Sequence, residues 1–394
     1  MAKVQGSCDE AFDDVKKLMQ QYLDTGEEVG ASIYVDWKGK GVVNLWGGFC
    51  EEDQTRPWTE DTITNVWSLS KTVTNLAALM LADRGLIDLD ENVAMYWPEF
   101  GANGKDNIKV RHILSHTSGV SGWDQPISLE DLYDPERSAS LLAKQAPWWD
   151  PGTASGYHAL NQGHLVGELV RRVTGKSLKS FISDEISKPL GADFQLGAKE
   201  SDWPRISHVI PPDVTEIAAG LKALDSNQPA FKTFTGPPPD AAAANTTGWR
   251  NAEIGAANGH GNARSVVQIL STISLGGESQ GVRLLSPETV ERIFEEQANG
   301  VDLVLGLPLR FGIGYGLPNA SVPHLPEGRV CYWGGWGGSA IIMDVDRGLT
   351  IGYVMNKMAP ETLGRRAGRD VVVANVSMFE KYVDDVPFSE MVNY

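Results

Sequence analysis

Thr62-Ile63-Thr64-Asn65-Val66-Trp67-Ser68-Leu69-Ser70-Lys71 carries an apolar run straight into a segment where Val73, Leu76, Ala77 and Met80 recur at helical spacing. The pattern predicts a helix that begins near Ser70. At a helix N-terminus the first backbone N–H groups have no partner within the helix, and a lysine three residues after a serine lies on the same face one turn later. Ser68 and Lys71 are therefore expected to touch. A lysine withdrawn from water loses part of its preference for the ammonium form, and the neutral amine can take the proton of a weak nucleophile such as serine. The plainer alternative is an exposed capping serine beside a solvated lysine.

Upstream of this junction, Phe12, Val15, Leu18, Met19 and Leu23 fall at helical spacing within residues 8–25, which predicts an opening amphipathic helix packed on a sheet. Two β-rich runs follow, 29–37 and 42–49, separated by Lys38-Gly39-Lys40-Gly41 as in a hairpin. Strands are expected again only near the C-terminus, over 312–316, 329–332, 339–345 and 349–355, followed by helix-like stretches in 361–382. The two ends of the chain should thus build one mixed sheet flanked by terminal helices. Residues 70–300 read as mostly helical or looped. Within them, 200–260 resists assignment, with Pro211-Pro212, Pro237-Pro238-Pro239 and four consecutive alanines. The expected organisation is a single catalytic unit over 1–394. Its α/β part comprises 1–67 and 305–394, and its helical insertion 68–304.

Two further stretches carry chemistry. Tyr157-His158-Ala159 follows a glycine-rich turn and precedes an amphipathic helix, and a tyrosine beside a lysine can shuttle protons; by itself it reads rather as an ordinary half-buried tyrosine. Trp333-Gly334-Gly335-Trp336-Gly337-Gly338-Ser339 precedes the apolar 340–343 run. Glycines there let a substrate approach the strand, leaving backbone N–H groups to bind an oxyanion, or they simply make a tight bend.

In this order and at these separations, the three elements resemble the serine β-lactamase and penicillin-binding-protein superfamily. More closely, they resemble its class C β-lactamase and family VIII carboxylesterase branch, which includes the lovastatin-type acyltransferase. Supporting stretches are Val110-Arg111-His112-Ile113-Leu114-Ser115-His116-Thr117-Ser118-Gly119, Asn258-Gly259-His260-Gly261, and the path from Gly337-Gly338-Ser339 to Tyr353-Val354-Met355-Asn356. The resemblance spans nearly the whole chain. It implies an α/β fold of the β-lactamase/transpeptidase type, with a mainly antiparallel sheet, terminal helices, an inserted helical domain and a site in the cleft between them. It also implies roles: Ser68 as nucleophile, Lys71 and Tyr157 sharing the proton work, and the N–H groups of Ser68 and Trp336 as oxyanion donors beside Trp333, Gly334 and Gly335. The family's tyrosine motif is usually Tyr-x-Asn, where Ala159 stands here. Its third motif is usually Lys-Thr-Gly or His-Thr-Gly, where Trp333-Gly334-Gly335 stands. A lysine or histidine at that place can pair a substrate carboxylate and a tryptophan cannot. A neutral ester, thioester or lactone is therefore expected, unless Arg310 or Arg329 serves the pocket. The expected activity is that of a serine acyl hydrolase of the esterase or lactonase type, whose acyl-enzyme passes to water; an acyltransferase passing the acyl group to a small-molecule alcohol and weak β-lactamase activity are the alternatives. A non-catalytic scaffold of the same fold is the rival from another class, and the intact Ser68, Lys71 and Tyr157 speak against it.

Composition narrows the field further. The chain has 394 residues, enough for a sizeable core, and its 42 Gly and 21 Pro are dispersed. With 34 basic against 51 acidic residues the net charge is −17, which disfavours partners that need a basic footprint, nucleic acid and anionic membranes among them. No apolar run is long enough to span a bilayer, and the first residues lack a secretory pattern, so a cytoplasmic location is expected. Cys8, Cys50 and Cys331 read as reduced, buried thiols. No cofactor is expected. His112 and His116 have zinc-protease spacing, but Ile113 occupies the place of the glutamate base and no metal is expected. Gly277-Glu278-Ser279-Gln280-Gly281 mimics a lipase elbow, yet it lies in a polar stretch read as a surface loop. Thr174-Gly175-Lys176-Ser177 lacks the upstream glycine of a phosphate loop and reads as a helix end. Trp148 and Trp149 are expected to form an apolar lip.

Overall fold

The computed structural model describes residues 3–360. Its main sheet has six antiparallel strands in the order Gln5–Cys8, Lys40–Gly48, Gly30–Trp37, Leu349–Met355, Ala340–Asp344, Val330–Gly334. The opening hairpin and the last strands of the described chain thus meet in mid-sheet, where Ile351 faces Val35 and Tyr353 faces Ile33. Lys38 and Gly39, both at positive φ (51° and 84°), make the two-residue turn that joins the first pair, as the twist of a tight hairpin requires.

Helix Asp13–Asp24 presents Val15, Met19 and Tyr22 to the core beside the sheet. The helix-like stretches expected over 361–382 lie outside the described residues. A second sheet-covering helix comes from an unexpected place. Ala263–Ser274, which falls within the stretch read as helical insertion, lies against Leu349–Met355 and Gly30–Trp37. Its buried stripe of Val266, Val267, Leu270 and Ile273 needs an apolar partner, and Gly352 leaves room for Val267 at the crossing. Asn262 and Ser265 cap its start reciprocally, each side chain accepting the other's backbone N–H.

One expected strand is corrected. Residues 312–316 form a turn in which the Gly312 N–H donates to Tyr315 O, and the strand is Pro308–Phe311, paired with Ala298–Val301. A Cβ at Gly312 would lie 2.0 Å from Ile293 O, so the glycine is kept for close backbone approach rather than for a ladder.

The central helix, Ser70–Asp83, is buried along residues 70–81, polar residues included. It packs against Gln162–Thr174, whose Leu165, Val166, Leu169 and Val170 face inward. That second helix ends at Gly175 in the left-handed conformation, so Thr174-Gly175-Lys176-Ser177 is indeed a helix end. The unassigned 200–260 region holds three short helices, Thr215–Lys222, Pro229–Thr235 and Thr247–Asn251, with one 3-10 turn, Glu200–Arg205, before them and another, Ala241–Asn245, between the last two. Cys50 and Cys331 are buried, whereas Cys8 is only half-buried. Among the described residues no helix is long and apolar enough to cross a membrane.

Candidate active site

A short 3-10 turn, Trp67–Leu69, delivers Ser68 to the head of the central helix. Trp67 adopts φ 51°, a sparsely populated conformation for a bulky residue that costs on the order of 1–3 kcal/mol. The surroundings hold it there. Its ring packs on Trp249 and Trp336, with centroids 5.4 and 5.1 Å away, and its carbonyl accepts the Ser70 hydroxyl at 2.5 Å. Ser70 Oγ in turn accepts the Gly259 N–H at 2.8 Å, which joins this turn to the Asn258-Gly259-His260-Gly261 strand. The outcome is one half-exposed residue, Ser68, inside a buried run.

Lys71 is buried, and its Nζ lies 3.1 Å from Ser68 Oγ, 2.8 Å from Ala159 O and 2.9 Å from Ala256 O. Burial pulls its pKa well below the ordinary lysine value, because the charged form loses solvation and no carboxylate compensates. A neutral amine has two hydrogens and one lone pair. With both hydrogens on the two carbonyls, the lone pair faces Ser68. Gly163 makes this possible: a Cβ there would stand 2.4 Å from Ala256 N, so only glycine lets the 255–256 backbone close onto the central helix.

Tyr157 is buried beside both residues. Its ring lies 4.7 Å from Lys71 Nζ, its hydroxyl is in hydrogen-bond reach of Ser68, and Trp333 Nε1 donates to it at 3.4 Å. Burial pushes the phenol well above its ordinary value; the Ser68 and Trp333 hydrogen bonds oppose this, and the nearby Asp302 adds to it. Two residues with no assigned role in the sequence reading support Tyr157. His116 stacks on its ring at 4.9 Å and accepts the His158 N–H at Nδ1, while burial holds both histidines far below the usual imidazole value, His158 at about 3. Asp302 accepts the Tyr157 N–H at 3.0 Å. His116 belongs to the stretch that carried the resemblance. Asp302, a lone acid among Val and Leu, left no signal at all. His112 takes a different part, its Nδ1 accepting the Lys109 N–H at a helix cap.

A cavity of about 390 Å³ opens onto Ser68, Tyr157, Trp333, Gly334 and Trp336. Gly335 is not on its wall, and its N–H is already donated to Ser339 O at 2.7 Å, which leaves it no free donor. Much of the remaining wall comes from the region that defied assignment: Ile217, Leu221, Leu224, Phe234, Pro237 and Trp249. Among the described residues the lining includes Asp240 but no Lys or Arg. Arg310 and Arg329 are engaged in surface ion pairs, with Glu296 and with Asp346 and Glu291. Trp148 and Trp149 form no part of the wall; their indole N–H groups donate to Asp124 and Ala154 instead. Ser279 is buried in a two-residue hairpin, Glu278–Ser279 against Val282–Arg283, rather than in a surface loop, and no helix follows it directly as an elbow would need.

Residues 15–375 match the protein-family model described as Beta-lactamase. The chain is 33% identical over 379 residues to the esterase/beta-lactamase LipL of Mycobacterium tuberculosis (strain ATCC 25618 / H37Rv), covering 93% of this chain and 86% of that one. The crystal structure of a family VIII carboxylesterase superposes with a TM-score of 0.89 at 34% identity, over 95% of this chain and 100% of that one. A penicillin-binding protein homologue from Caulobacter crescentus superposes with a TM-score of 0.88 at 30% identity, over 95% and 100% of the two chains.

Proposed function

The chain belongs to the beta-lactamase family of serine hydrolases, and from that premise we propose that it is a carboxylesterase-like enzyme that forms an acyl-enzyme on Ser68 from neutral esters, thioesters or lactones. The observation that carries this reading is the Lys71 amine, buried, bound to two backbone carbonyls and 3.1 Å from Ser68 Oγ. The amine takes the serine proton as Ser68 Oγ attacks the acyl carbon. The backbone N–H groups of Ser68 and Trp336 hold the developing oxyanion, with Trp333 and Gly334 shaping the wall beside it. As the tetrahedral intermediate collapses, Tyr157 gives its proton to the departing alkoxide, and the proton first taken by Lys71 restores the phenol. Gly335 contributes to the bend and not to the oxyanion site, since its N–H is taken.

The substrate reading rests on charge. A carboxylate entering this cavity would shed water without finding a Lys or Arg among the described lining residues, and would meet Asp240 at the wall. Apolar acyl or alcohol groups fit a lining dominated by Trp, Leu, Ile and Pro side chains. The same apolar wall, by limiting water near the acyl-enzyme, favours acyl transfer to an alcohol as a second outcome of one intermediate. A cytoplasmic location, expected from the sequence, belongs to this proposal as well.

The test is a panel of p-nitrophenyl esters, lactones, thioesters and a chromogenic cephalosporin, with intact mass spectrometry of the trapped protein. Neutral esters should turn over and leave an acyl mass on wild type but not on Ser68→Ala, whereas Ser279→Ala should behave as wild type. An acyl mass that persists in Ser68→Ala would refute the assignment. Added alcohol that raises product release without raising free acid would identify transfer.

A further inference from the structure

The segment that carries Tyr157 has no regular secondary structure over residues 155–158, so no helix or ladder sets the height of the phenol over Ser68. Individual tethers do. One of them is a fully buried carboxyl group in the turn of the Ala298–Val301 and Pro308–Phe311 hairpin. Asp302 Oδ1 accepts three backbone N–H groups, from Tyr157 at 3.0 Å and from Val304 and Leu305 at 2.9 Å each. Its other oxygen is buried with no hydrogen-bond partner. A buried carboxyl oxygen without a partner costs stability, so the acid's presence calls for a reason, and the three N–H groups held by its other oxygen supply one. Next to it the Leu303 N–H donates to Ser155 O at 2.8 Å, which ties the same turn to the other side of the Tyr157 segment. Val304, Leu309 and Phe311 then pack with Tyr157 and Trp333 in a cluster separate from the main core.

We infer that Asp302 is a positioning residue: its one oxygen locks the hairpin turn to the Tyr157 backbone and so fixes the phenol where the leaving group departs. The inference rests on the proposed role of Tyr157 as the acid for that group. Three backbone hydrogen bonds on one acceptor also make the oxygen, not the charge, the part the geometry needs. An amide oxygen can serve equally.

The test compares kcat/KM for the p-nitrophenyl and ethyl esters of one acid in wild type, Asp302→Ala, Asp302→Asn and Tyr157→Phe. A nitrophenolate departs without help, whereas an ethoxide needs a proton, so the ratio of the two rates reads the acid step and cancels any loss of folded enzyme. Asp302→Ala should lose at least about tenfold more on the ethyl ester than on the nitrophenyl ester, in the same direction as Tyr157→Phe. Asp302→Asn should stay within about threefold of wild type on both. Equal losses on both esters in Asp302→Ala, or no loss, while Tyr157→Phe keeps its split, would overturn the positioning role. So would an Asp302→Asn enzyme as discriminating as Asp302→Ala. Absence of a split in Tyr157→Phe would overturn the acid role of Tyr157, and this inference with it, a result distinct from the other two.

Discussion

Replacing Lys71 by arginine tests the chemistry most directly. An ordinary lysine with a pKa of 10.5 is neutral in only about one molecule in a thousand at pH 7.5. Burial at the central helix lowers that pKa and lessens the handicap, while the carbonyls of Ala159 and Ala256 hold the amine hydrogens. Bringing the amine fully into its neutral form at pH 7.5 raises the reactive fraction by up to about a thousandfold, equivalent to about 4 kcal/mol. The sign follows from the role as base. Below the lowered pKa the amine is ammonium and acylation falls tenfold for each pH unit; above it the rate levels off. Because the Tyr157 phenol is raised, the plateau should run past pH 10, where an ordinary tyrosine would ionise. Guanidinium does not give up its proton, so Lys71→Arg should acylate about 10²–10⁴-fold more slowly while still presenting a positive charge near Ser68. Stopped-flow release of p-nitrophenolate from pH 5 to 10.5 measures the acylation step, and a thermal melt checks that the variant is folded. An acid limb centred near 10.5 in wild type, or Lys71→Arg within about tenfold of it, would refute the neutral-amine reasoning.

Trp333→Lys should narrow the preference for a neutral ester over its analogue with a carboxylate near the scissile bond, since it adds the missing cation while losing the indole contact with Tyr157; unchanged relative kcat/KM values would sink the charge argument. Leu221→Trp should shorten the apolar cavity and lower kcat/KM for octanoyl more than for acetyl esters, and an equal effect on both would place the acyl chain elsewhere. Asn356→Ala should cost about 2–4 kcal/mol in chemical denaturation. Its buried amide receives the Gly30 N–H and donates to Phe49 O and Ser207 Oγ, and a loss under about 0.5 kcal/mol would contradict that account.

Local pattern was enough to make Ser68, Lys71 and the terminal strands legible. Three residues on a helix set a serine and a lysine one turn apart whatever the rest of the chain does, and alternating apolar runs at 30–37 and 349–355 call for a shared sheet. The Thr174-Gly175 helix end was readable for the same reason, since a glycine at that point acts through its own φ. Tertiary structure decided what depends on distant backbone. Lys71 is stripped of water by the surrounding core, and its amine hydrogens are held by carbonyls 88 and 185 residues away in the chain. The anchor of Tyr157 is an acid 145 residues later that nothing nearby in sequence distinguishes. Much of the cavity wall comes from short helices and loops between 215 and 251 whose apolar residues have no period long enough to read, and only the packed chain shows that the Gly335 N–H is taken by Ser339 O. Sequence spacing determines which groups can meet within a few residues; only the packed chain determines which of their hydrogens, lone pairs and charges remain available for chemistry.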